Sequence, residues 1–81
     1  MGVLRVLSHR GDDRYQWDAA AVETGDPEAQ AAVEEAERIF AQQRSLGATA
    51  LRVRSGAPAE KIDEFDREAE QIVMVPRVVG G

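Results

Sequence analysis

The sequence predicts an α+β roll, a mixed sheet of four to five strands with one long helix across one face. Three observations carry that reading. Two short β-favouring runs are joined by turn residues near the start. A capped amphipathic helix opens at Pro27. An all-apolar run, Gln71 to Val75, stands close to the C-terminal end.

Residues Val3 to His9 alternate as a strand, with Leu4 and Val6 on one face and Val3, Arg5 and Leu7 on the other. Arg10-Gly11-Asp12-Asp13 is a turn sequence, because Gly supplies positive φ and Asp can bond its own backbone. Tyr15 and Trp17 follow two apart, as β-favouring aromatics on a common face, so the two runs pair as a hairpin. Asp26-Pro27-Glu28 is a helix start: a side-chain cap, a proline suited to the first helical position, and an acid at the positive end of the dipole. The helix should run from Pro27 to about Leu46. Ala29, Val33, Ala36, Phe40 and Gln43 form its inner face, with Ala32, Ile39 and Leu46 on the border. Glu34, Glu35, Arg38 and Gln42 look outward, and Gly47 ends the helix.

Thr49 to Arg54 sets Leu51 and Val53 against Ala50, Arg52 and Arg54, the pattern of a half-buried strand. Ser55 to Pro58 is loop. Lys61 to Phe65 reads as a short edge strand in preference to a turn of helix, and Asp66 to Ala69 as one helical turn. Gln71-Ile72-Val73-Met74-Val75 is apolar on both faces, which suits a strand in the middle of the sheet.

Composition narrows the function. The 81 residues carry 15 acidic and 10 basic side chains, a formal net charge of −5, and no cysteine. Disulfides, thiolate metal sites and cysteine nucleophiles are therefore excluded. An acidic chain is poorly suited to tracking phosphates, so a protein partner is expected and nucleic acid is not. No run of about 18 apolar residues is present, so no membrane partner is expected. With no targeting signal recognised, the expected location is the cytoplasm.

The chain ends Pro76-Arg77-Val78-Val79-Gly80-Gly81. Terminal glycines add no packing and lose the most entropy on ordering. Their use is steric, since a carboxylate flanked by residues without Cβ can pass through a narrow channel to a nucleotide phosphate or a thiol. Pro76 stops the strand from continuing as a ladder, and Val78 and Val79 could dock an extended tail. The string from Gln71 to Gly81 resembles the last strand and tail of ubiquitin-like β-grasp proteins. These include the sulfur carriers, the small subunit of molybdopterin synthase among them, and short bacterial ubiquitin-like modifiers. Arg77 stands where the carriers often have a second proline.

The resemblance implies a β-grasp domain over residues 1–76 and an extended tail over 77–81. It implies that the Gly81 carboxylate is adenylated by a separate activating enzyme, which supplies ATP and Mg²⁺. The acyl group would then pass to a target amine or become a thiocarboxylate. Gly80 and Gly81 would be the acyl-transfer terminus, and Pro76, Arg77, Val78 and Val79 the segment the partner grips. An activating enzyme, a conjugating enzyme and a deconjugating protease are the implied partners, with target proteins. The chain itself need hold no catalytic residue, metal or cofactor. The alternative is a small structural or adaptor protein that binds a partner through its sheet.

The remaining motifs read as structure. Arg10-Gly11-Asp12 spells an adhesion tripeptide, but Gly and Asp suit a hairpin turn. His9 beside Asp12 and Asp13 reads as a strand-end residue and not a metal ligand. Ser8 and His9 are strand neighbours that point to opposite faces, so they make no dyad. Tyr15 and Trp17 either meet the helix as core or join Leu7 on an exposed apolar partner surface. Glu34, Glu35, Glu37, Glu64, Glu68 and Glu70 read as solvated positions, some of which would complement a basic groove on an activating enzyme.

Overall fold

The computed structural model describes residues 1–77. It is a small α+β domain, with strands β1 (Gly2–Ser8), β2 (Gly11–Trp17), β3 (Thr49–Val53), β4 (Glu60–Ile62) and β5 (Gln71–Val75), and helices α1 (Ala19–Glu23) and α2 (Pro27–Ser45). The five strands form one mixed sheet in the order β2-β1-β5-β3-β4. β5 is central: it runs parallel to β1, with Leu4 opposite Ile72, and antiparallel to β3, with Ala50 opposite Met74.

The hairpin turn is tighter than expected. Ser8 pairs with Gly11, so only His9 and Arg10 form the loop, and Gly11 to Asp13 belong to β2. Gly11 takes a φ of 124°, which lets the chain re-enter the ladder immediately. Asp18 caps α1 by accepting from the Ala21 amide at 3.2 Å. This short helix was not expected, although Asp18 followed by three alanines carries the signal for it.

Asp26 caps α2 by accepting from the Glu28 amide at 3.0 Å. The far end closes on Gly47, where the Gly47 amide donates to the Arg44 carbonyl and the Ala48 amide to that of Gln43, both at 3.0 Å. That pair of bonds satisfies carbonyls that a helix end otherwise leaves without partners. Ala29, Val33, Ala36 and Phe40 are buried, as their spacing predicts. Leu46 is not a border residue. It caps the helix and is 67% exposed.

The core lies between α2 and one face of the sheet, where Leu4, Trp17, Ala50, Ile72 and Met74 are buried. On β3 it is Ala50 that faces this core, with Leu51 and Val53 on the opposite face and half-buried. A residue without bulk lets helix and strand come close, and the larger side chains then fall on the other side by alternation. β4 is shorter than expected and ends before Phe65. Phe65 serves the core instead, with its ring 5.1 Å from that of Trp17 and 5.8 Å from that of Phe40. Asp66 to Ala69 forms a turn and not a helix: the Glu68 amide donates to the Asp66 carboxylate, and the Ala69 amide to the Asp66 carbonyl.

Trp17 ties the sheet to this late loop, because its indole N–H donates to the Arg67 carbonyl at 2.7 Å. The indole also occupies the space above Gly2, where a Cβ would lie 2.3 Å from its Cε2 atom. Gly2→Ala therefore forces the largest core side chain to move. Stability should fall by about 1–3 kcal/mol, seen as a lower urea midpoint followed by Trp17 fluorescence. An unchanged midpoint would mean that the indole does not rest on Gly2.

Candidate functional site

The site that the sequence singles out begins where β5 ends. Val75 is opposite Thr49, the last register pair of the β3–β5 ladder. Pro76 then removes the next backbone donor, and both Pro76 and Arg77 are exposed. Val78, Val79, Gly80 and Gly81 lie outside the described residues.

The corner that receives the end of β5 is built by the close of α2. Arg44, in the last turn, donates through Nη1 to the Ala48 carbonyl at 2.8 Å and pairs through Nη2 with Asp63 at 3.2 Å. One guanidinium thus joins the helix end, the entry to β3 and the loop after β4. Gly47, with φ 91°, faces Arg77, whose Cδ would lie 3.0 Å from a Cβ placed on that glycine.

Tyr15, Trp17 and Leu7 do not share a surface. Trp17 is buried and Tyr15 packs against the core on the helix side, while Leu7 lies on the other face of the sheet. The aromatic pair is core, which settles the alternative left open by the sequence, and any exposed apolar patch is drawn from different residues. Register places Val3, Leu7, Leu51, Val53, Val73 and Val75 on the back face, all of them half-buried. Neither helix covers this face. Its apolar centre is bordered by Arg5 and Arg14 on one side and Lys61 on the other, with Asp12 the one acid among the described strand positions of that face. The exposed surface of α2 carries Glu28, Glu34, Glu35 and Glu37. The strand positions of the back face thus carry three cations and one acid, while Arg38 on α2 and Arg52 on β3 place cations on the helix side as well.

Arg5 and Arg14 stand opposite each other across the hairpin, and Asp12 lies between them. Its carboxylate accepts from Arg5 Nε at 2.8 Å and from Arg14 Nε at 3.3 Å. The hydrogen bond from Arg5, then that from Arg14, hold the Asp12 carboxyl below the ordinary aspartate value of 3.8. The fold therefore favours the ionised form. Its contribution is complete above the unfolded-state value and disappears as pH falls through the lower folded-state value. Asp12→Asn should lower the melting temperature at neutral pH, because two guanidiniums then face each other without an anion. It should also flatten the acid decline below the ordinary aspartate value of 3.8. Circular dichroism melts across that range check it, and an acid limb identical to the parent's would refute the assignment.

Arg52 was grouped with the residues opposite Leu51 and Val53, and it does lie on the helix side. There it bonds Asp66 at 2.7 Å and Glu60, so its charge pins the late loop over β3. The bonds that Arg52 donates, to Asp66 as the larger influence and to Glu60, push its pKa further up. The neighbouring hollow, lined by Arg52, Ile62, Asp63, Glu64, Phe65 and Asp66, already contains this neutralised cation. Glu70 is also engaged, accepting from the Ser55 amide at 3.1 Å.

No helix among the described residues is long and apolar enough to cross a membrane. No family model, curated protein or solved structure matches the chain.

Proposed function

We propose that the chain is a ubiquitin-like β-grasp protein that acts through its terminal carboxylate. The Gly81 carboxylate oxygen attacks the α-phosphorus of ATP on a separate activating enzyme, and pyrophosphate leaves. The resulting acyl-adenylate is a competent donor, as a free carboxylate is not. A sulfur nucleophile or a target amine then displaces AMP, giving a thiocarboxylate or a conjugate. Magnesium, ATP and the catalytic groups belong to the activating enzyme.

The observation that supports this reading is the position of β5. The last strand is bonded on both edges in the middle of the sheet, and Pro76 ends its ladder shortly before Gly80 and Gly81. A strand bonded on both edges and followed by Pro76 suits delivery of the Gly81 carboxylate to another protein's active site. The sheet order, with the first and last strands parallel at its centre and one long helix on one face, fits the β-grasp roll.

Incubation with the cognate adenylating enzyme, ATP and Mg²⁺ should give an AMP adduct or thioester visible by mass spectrometry. Deleting Gly81 should abolish it, and equal activity on the shortened chain would refute the proposal. A sulfur carrier would show the mass gain of one oxygen replaced by sulfur, and a modifier a ladder of larger conjugates. Lys61 is the only lysine and is exposed on β4, so lysine-linked chains of this protein would have one attachment point.

A second reading, an adaptor that binds through its sheet, is favoured by the apolar back face, which neither described helix covers. It predicts the opposite pattern. Leu51→Asp should abolish partner capture while removal of Gly80 and Gly81 leaves it intact, as read by pull-down with matched melting temperatures.

A further inference from the structure

The register that pairs Thr49 with Val75 would, if continued, set Ala48 opposite Pro76 and Gly47 opposite Arg77. The ladder cannot continue in that form. Pro76 has no N–H to donate, the Ala48 carbonyl is taken by Arg44, and Gly47 is in a helix-ending conformation with φ 91°. Arg77 nonetheless remains at its register position. Its Cδ, Cβ and Cγ lie 3.0, 3.5 and 3.8 Å from where a Cβ on Gly47 would be, so the aliphatic stem fills the space left by the absent side chain. Where backbone pairing stops, side-chain packing on a glycine takes over.

We infer that Arg77 is a positioning residue, whose stem, packed on Gly47, sets the point and direction from which the chain leaves the sheet. The inference rests on the carboxylate reading above and deepens it: the activating enzyme meets a chain that leaves the sheet from a fixed corner, beside the exposed Leu46. The contact is made by methylene groups, so the action belongs to the stem and not to the guanidinium. A partner that binds a chain fixed at this point need not order it first, which appears in KM and not in kcat.

The test compares Arg77→Ala, which removes the stem, with Arg77→Met, which keeps an unbranched apolar chain without charge. Arg77 is exposed, so both variants should fold, and equal melting temperatures would establish that. The first readout is ¹⁵N relaxation at the amides of residues 77 and 47 in the protein alone. Arg77→Ala should increase fast motion at residue 77 and shift the Gly47 resonance, and Arg77→Met should restore the parent behaviour. The second readout is ATP–pyrophosphate exchange with the adenylating enzyme. KM should rise roughly three- to tenfold for Arg77→Ala with kcat unchanged, and return toward the parent value for Arg77→Met.

Unchanged relaxation in Arg77→Ala overturns the inference. So does an Arg77→Met variant as impaired as Arg77→Ala in exchange, because the guanidinium would then act on the partner directly. If the parent protein supports no exchange, the carboxylate reading fails on its own, and the relaxation data alone decide whether Arg77 holds the exit.

Discussion

Everything in this fold depends on β5 being bonded along both edges. The hairpin β1–β2 and the pair β3–β4 make no direct ladder with each other, and only Gln71 to Val75 joins them into one sheet. The join is parallel on one side and antiparallel on the other, and both sets of contacts are non-local. Such pairing incurs loop-closure entropy before it is rewarded. The burial of Ile72 and Met74 beneath α2 offsets that cost, which explains why the run must be apolar. Strand centrality and apolar composition are two aspects of one requirement.

A second requirement follows from having one long helix over five strands. α2 contributes Ala29, Val33, Ala36 and Phe40, of which only Phe40 is large. The volume beyond its reach is filled from elsewhere, by Trp17 at the end of β2 and by Phe65 from the loop before β5. Arg52 and Arg44 then bind that same late region to β3 and to the helix end. The stretch between β4 and β5 has little regular structure, yet it completes the core.

Much of this was legible in the sequence. The cap at Asp26 and Pro27, the inner face of α2, the hairpin and the central position of Gln71 to Val75 all follow from short-range signals that the fold preserves. The errors have a common cause, which is that alternation identifies two faces without saying which one a helix will cover. On β3 the alternation separates Leu51 and Val53 from Ala50 without choosing between them, and the helix covers Ala50, where a small residue permits close approach. Phe65 looked like a strand residue because its real partners, Trp17 and Phe40, are distant in sequence. The α1 signal at Asp18 was readable and local. The contact of Arg77 with Gly47 was not, since it depends on how β5 is registered against β3. The candidate terminus itself was evident from Gly80 and Gly81, whereas the corner from which it departs required the fold.

The row of acids along the exposed side of α2 has a consequence at distances where no contact exists. Glu28, Glu34, Glu35 and Glu37, with Arg38 among them, leave the exposed side of α2 net negative. An approaching basic protein would meet the helix side foremost. That bias acts within a screening length of about 8 Å at physiological salt and shortens as salt is added.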